Sequence, residues 1–310
     1  MKLSHRVENA TLGFLSKASR RLRLPIFKTV DAAWHDMMLE YVREDYGDII
    51  EKYKHIAPAK PEAIDSKSTI FVMWYQGEET MPPIVKACYA NLKKRAGGHP
   101  VVLLTEKNIR QYVSPSPIWD DIIFKYVENK KIAIVKLADF SRLCLMYTYG
   151  GIWIDSTVWL NKDIDDIVSG LVFASGKRPD ELNVYDTTEG KWSPWFIGSF
   201  KGNTLMQFVF EIMLEHIKRE GKFLHYFMID YAVVTAYHSF PYVREMIDAI
   251  PPMANIFSDF YPIRNKEFNQ AEYEELTSKV PFYKMTYRGK STRYTKEGKM
   301  TYFGYLTKDI

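Results

Sequence analysis

Asp139 and Arg142 stand three residues apart in a segment with helical spacing, Gly150 and Gly151 follow, and Asp155 closes a short apolar run that reads as a strand. Positions i and i+3 share one helix face, so the carboxylate and the guanidinium project together. The paired glycines let backbone pass where a side chain would clash. A carboxylate at a strand end, beside open space, can hold a divalent cation, and such a cation neutralises the oxygens of a diphosphate leaving group. Taken alone, the Asp139 and Arg142 spacing equally describes a surface ion pair.

Other residues could join this chemistry. Trp74 ends an apolar run just before Gln76 and Gly77, and is either core or a ligand-facing wall. Asp230 lies in an otherwise apolar helical stretch, as a hydrogen-bonded structural carboxylate or a site group. Lys284, Arg288 and Lys290 are either solvated charges or cations that close over a diphosphate. Trp192, Trp195 and Phe196 offer aromatic faces to a sugar or belong to the core. His216 and His225 are too far apart for adjacent helical turns, so no zinc site is expected. No Gly-x-Ser-x-Gly elbow or Cys-His pairing suggests an acyl-transfer nucleophile.

The elements that must position these groups alternate. Residues 69–75 read as a buried strand and 101–105 as a second strand, with helices over 83–95 and 106–113. Further strands are expected at 171–175 and 192–200, and helices at 204–219 and 223–237. Alternation predicts an α/β fold with a mainly parallel sheet, whose ligands bind at the carboxyl ends of its strands, where Trp74 to Gly77 and Asp155 both fall. No Gly-x-Gly-x-x-Gly or Walker loop supports a dinucleotide or ATP site. Residues 30–53 show helical spacing before a Pro- and Ala-rich linker at 57–63. The expected division is an N-terminal helical extension (1–60), a catalytic domain (68–250) and a C-terminal flap of little periodicity (251–310) packed on the catalytic domain.

The 46% hydrophobic content over 310 residues is ample for a core. A net charge of +4 with interleaved signs gives no support for nucleic-acid binding. Cys88 and Cys144 read as buried thiols rather than a disulfide, which suits a cytoplasmic protein. Lys17, Arg20, Arg21, Arg23 and Lys28 crowd the N-terminus among apolar residues, and Leu15, Ala18 and Leu22 share a helical face. This segment either lies on an anionic membrane surface or docks on the catalytic domain with its basic side solvated.

The central block, with residues 71–79, 84–88, 102–106, 195–199 and 226–231 in order, resembles the bacterial capsular polysaccharide synthesis glycosyltransferases. More distantly it is similar to retaining sugar transferases with an Asp-x-x-Arg element before Gly-Gly-x-x-Asp-x-Asp. The resemblance implies a GT-A-like fold and transfer of a hexose, galactose or glucose, from a UDP-sugar to a lipid-linked oligosaccharide. It implies that Asp139 meets the ribose or base, Arg142 orients the acidic motif or reaches sugar and phosphate, and Asp155 bridges cation and donor. Ser156 and Thr157 would add hydroxyl contacts, Trp74 would wall the uracil with Gln76 and Gly77 in the same donor site, and Asp230 would be catalytic, facing the donor sugar or acceptor and stabilising oxocarbenium charge. The broader pattern's second aspartate is replaced by Thr157. Mn²⁺ or Mg²⁺ would then be held by Asp155 together with donor phosphates. Two rivals stay open: a sugar-nucleotide- or glycan-binding protein without turnover, and a glycoside hydrolase, which needs two carboxylates across a cleft.

Overall fold

The computed structural model describes residues 3–65, 67–168, 172–173, 188, 190–250 and 260–310. The strands are β1 (Ile70–Met73), β2 (Val101–Leu104), β3 (Gly151–Ile154), β4 (Val158–Leu160), β5 (Val172–Phe173), β6 (Phe196–Ser199) and β7 (Phe282–Lys284). The rest of the strand expected at 171–175, and the start of the expected C-terminal segment at 251–259, lie outside the described residues.

Five strands form one sheet in the order β2-β1-β3-β6-β5. β1 runs parallel to β2 and β3, while β6 is antiparallel to both β3 and β5, so four of the five strands point one way. The mainly parallel sheet is thus present, with a reversed strand inside it. β1 and β3 are buried at every position, as strands covered on both faces must be. Period-two alternation divides them between two cores. Phe71, Met73, Trp153 and Ile197 face one, and Ile70, Val72, Ile152, Ile154 and Phe196 the other.

The helices are α1 (Leu3–Arg21), α2 (Phe27–Asp45), α3 (Gly47–Lys54), α4 (Pro83–Arg95), α5 (Ile109–Val113), α6 (Ile122–Glu128), α7 (Ile134–Thr148), α8 (Thr204–Glu220), α9 (Met228–Ser239), α10 (Pro241–Asp248), α11 (Gln270–Lys279) and α12 (Tyr302–Leu306). The helix expected over 30–53 is two helices, broken at Tyr46. The Tyr41 and Tyr46 hydroxyls meet at 2.7 Å and both converge on Nδ1 of His216 in α8. Because Met38, Tyr41, Tyr46 and Tyr53 are completely buried in the core that α8 and α9 share, α2 and α3 belong to the main body.

The C-terminal segment also differs from a flap of little periodicity. β7 pairs antiparallel with β4, placing Lys284 opposite Val158, and the buried Phe282 stacks on Phe196 of the main sheet. α11 has a capped start, the Asn269 side chain accepting the Glu272 N–H.

At the junction of α7 and β3, Gly150 and Gly151 have φ of +69° and +88°. A Cβ on Gly151 would come 2.4 Å from the Thr69 carbonyl oxygen. Only glycine combines that backbone with that approach, and the tight junction brings the end of β3 back beside α7.

Candidate active site

α7 carries Lys136, Asp139 and Arg142 at successive i+3 positions, so one face of the helix presents three charges. Lys136 Nζ donates to Asp139 Oδ2 (2.8 Å) and to the Tyr226 carbonyl (2.6 Å). Arg142 Nη2 lies 3.2 Å from Asp139 Oδ1 and 3.3 Å from Asp155 Oδ1, while its Nη1 donates to the Pro194 carbonyl at 2.6 Å. Asp155, just past β3, also accepts the Trp153 indole N–H at 2.8 Å on Oδ1 and the Lys284 ammonium at 2.6 Å on Oδ2. Charges alternate from Lys136 through Asp139, Arg142 and Asp155 to Lys284. Three cations against two carboxylates leave this array at +1.

Electrostatics follow from that arrangement. Burial opposes ionisation of Asp155, but Lys284 and Arg142 outweigh it and hold the carboxyl below its ordinary range. Burial lowers the Lys284 pKa, with the attraction of Asp155 opposing the shift. The array is electropositive and only partly hydrated, which favours a bound anion.

A cavity of about 450 Å³ opens beside it, at the carboxyl ends of β1 and β3. Of the residues expected in the site, Trp74, Gln76, Arg142, Asp155, Ser156, Thr157, Lys284 and Arg288 line it. Trp74 donates its indole N–H to Thr80 Oγ1 (2.9 Å) and meets Tyr287 edge to face at 5.6 Å, forming an aromatic wall. Gly77, Asp139, Asp230 and Lys290 are not among the lining residues. Gly77, at φ +93°, shapes the turn after Trp74 instead. Asp139 is buried, with Lys136 and Arg142 on its two oxygens, so it braces Arg142. Asp230 is buried in the first turn of α9. The Lys290 carbonyl accepts the Asn265 side-chain amide. Trp192, Trp195 and Phe196 are buried core residues; the strand expected over 192–200 spans only Phe196–Ser199, and the two tryptophans precede it.

Four participants had not been singled out as site residues. Trp153 and Tyr287 line the cavity, as does Tyr226, which is 63% exposed. Lys136 supports Asp139 from behind, and its own i+3 spacing was a usable signal. Tyr226 also lines a second cavity of about 310 Å³, bounded by Lys17, Arg20, Trp34 and His225. The N-terminal hairpin α1–α2 therefore borders the space next to the first cavity.

Asp155 is the one protein ligand expected for Mn²⁺ or Mg²⁺, the others being donor phosphates. Both oxygens of Asp155 already face protein cations, and Oδ2 is held at 2.6 Å by Lys284. A divalent ion and an ammonium about 4 Å apart repel by roughly 8 kcal/mol at an effective dielectric of about 20. Among the described residues, no group of three His, Cys, Asp or Glu side chains is placed to hold a metal.

A family model described as capsular polysaccharide synthesis protein matches residues 25–306. Among curated proteins, O-glycosyltransferase braB of Annulohypoxylon truncatum is 27% identical over 110 residues, which are 34% of this chain and 26% of that protein. The match therefore spans about a quarter of that relative's length. Among solved structures, PaToxG Glycosyltransferase is similar with a TM-score of 0.43 and 12% identity, covering 80% of this chain and 95% of that one.

Proposed function

The chain belongs to the capsular polysaccharide synthesis protein family, and from that premise we propose that it is a retaining hexosyltransferase using a UDP-sugar donor. The observation that carries this is the cavity at the strand ends, with Asp155 held between Arg142 and Lys284. Its size suits a nucleoside diphosphate sugar. The base would lie against Trp74, Tyr75 and Gln76, and the diphosphate beside Arg142, Lys284 and Arg288. Ser156 and Thr157 would offer hydroxyls to the same group.

Galactose or glucose is the proposed sugar, and a lipid-linked oligosaccharide the proposed acceptor, entering past the exposed ring of Tyr226. In this mechanism the acceptor hydroxyl attacks the anomeric carbon on the face from which the diphosphate leaves. The bond to the phosphate oxygen breaks with its electron pair on that oxygen, which takes the hydroxyl proton. Retention results, and no protein base is needed.

A cytoplasmic, membrane-peripheral location supplies such an acceptor. The N-terminal hairpin supports it: α1 packs on α2 through Asn9 to Trp34 and Ser16 to Asp31, leaving its outer side free of that contact. On that side Val7, Phe14, Leu15 and Leu22 are exposed, within an arc of about 100° at helical spacing. Lys17, Arg21 and Arg23 lie beside them, also exposed, and such a surface favours an anionic bilayer. Among the described residues no helix is long and apolar enough to cross a membrane.

Release of UDP from a panel of UDP-sugars tests the proposal. One observation favours the non-catalytic rival: every oxygen of Asp155 has a protein partner. That reading expects donor binding without release.

A further inference from the structure

Building on the glycosyltransferase reading, we infer that the Lys284 ammonium is the cation that meets the departing diphosphate, and that the enzyme turns over without a divalent metal. Asp155 offers the strand-end carboxylate, yet Lys284 and Arg142 take up its oxygens, and the next two positions, Ser156 and Thr157, carry hydroxyls rather than carboxylates. A positive charge already stands where a metal would stand.

The placement of Lys284 suits this role. Its backbone is fixed, since β7 sets it opposite Val158 and the Met285 N–H donates to the Thr157 carbonyl at 2.7 Å. Its ammonium sits at the end of a flexible four-carbon stem, so it can pass from Asp155 Oδ2 to a phosphate oxygen without any strand moving. Residues 285–288 continue from it along the cavity wall and end in Arg288, a second cation for the same anion. Asp155 is then a positioning residue that holds the ammonium ready, and Arg142 keeps Asp155 ionised in turn. During transfer the bond between the anomeric carbon and the phosphate oxygen breaks, its electron pair stays on that oxygen, and Lys284 meets the charge that develops there. The proton balance is unchanged, because the acceptor hydroxyl still gives its proton to the leaving phosphate.

The test uses the purified protein with EDTA or with Mn²⁺, reading UDP binding by calorimetry and UDP release from UDP-sugars with a lipid-linked oligosaccharide acceptor present. Expected are equal UDP affinity and equal release in both conditions, a fall of about 100-fold in kcat for Lys284→Met, and substantial recovery in Lys284→Arg. UDP binding or release that appears only with Mn²⁺ overturns the inference while leaving the transferase intact. Full turnover by Lys284→Met in EDTA overturns it too. UDP binding in EDTA with no release from any sugar sinks the transferase, and no UDP binding in either condition sinks both. The comparison of EDTA with Mn²⁺ uses the unaltered protein, so misfolding of a variant cannot decide it.

Discussion

Lys284 and Asp155 lie 129 positions apart in the chain, and their side chains meet at 2.6 Å beside the cavity. The pairing depends on two independent pieces of fold. The diglycine turn puts Asp155 at the end of β3, and the β4–β7 ladder puts Lys284 across from it. Sheet and C-terminal segment thus share one ion pair, and disturbing either disturbs the site.

The diglycine is therefore a sensitive point. Gly151→Ala forces a Cβ against the Thr69 carbonyl on a backbone with φ +88°. Gly221 also has a positive φ, +70°, but nothing lies within 4 Å of its would-be Cβ. Chemical denaturation should show a loss of about 1 kcal/mol for Gly221→Ala and at least roughly 3 kcal/mol for Gly151→Ala. Equal losses would mean that close packing at the junction contributes nothing.

Stability should fall in mild acid. His216 is completely buried, its Nε2 accepts the Leu224 N–H at 3.2 Å, and burial pushes its pKa down to about 3. His225 is likewise brought to about 3, by burial first and then by His35. The unfolded chain takes up these protons near pH 6.5 and the folded one only near 3, so the unfolded state binds more protons between those values. Stability is lost as pH drops below 6.5, by roughly 2 kcal/mol per histidine at pH 5. Urea unfolding at pH 7.5 and 5 measures this, and a level midpoint contradicts it.

How much of this was legible in the sequence varies with the physics of each element. α4 follows from Pro82-Pro83 and its apolar period, and it spans Pro83–Arg95 as expected. β1, β2, α7 and β3 were equally readable, because strong apolar runs and glycines mark their limits. α11 was not, since it buries no residue fully and only Tyr273 and Leu276 pack partly against the core; its Asn269 cap was a signal present. That Tyr46 meets the distant His216, and that Lys136 and Arg142 both reach Asp139, are tertiary contacts that local spacing does not show. Local spacing brought Asp139, Arg142 and Asp155 together. It carried no information about Lys284 as a partner, which only the β4–β7 pairing supplies.

Tyr226 separates acceptor effects from donor effects. Its ring is 63% exposed and borders both cavities, while its backbone carbonyl, which Lys136 uses, survives substitution. Tyr226→Ala should change stability by less than about 0.5 kcal/mol. It should raise the KM for acceptor about tenfold and leave UDP affinity unchanged. A matching loss of UDP affinity would place the tyrosine on the donor side.

The α1–α2 hairpin should bind vesicles containing anionic lipid and ignore neutral ones. Phe14 is 71% exposed and Leu22 66%, so replacing both with Asp removes apolar contact at little cost to the fold. Co-sedimentation with phosphatidylglycerol vesicles at low salt should fall at least about tenfold in the double variant and weaken as salt rises. Equal binding of both proteins would remove the hairpin from the membrane.

The central claim is that the cavity around Asp155 transfers a hexose from a UDP-sugar. The measurement closest to it is UDP release with UDP-galactose and UDP-glucose in the presence of a lipid-linked oligosaccharide, for the unaltered protein and for Asp155→Asn, with thermal unfolding as the control for folding. Removing the carboxylate's charge leaves Arg142 and Lys284 without their shared partner, so Asp155→Asn should unfold at lower temperature yet remain folded at assay temperature. The account predicts donor-specific release that falls at least about 100-fold in the variant. Release that persists undiminished in folded Asp155→Asn would contradict it.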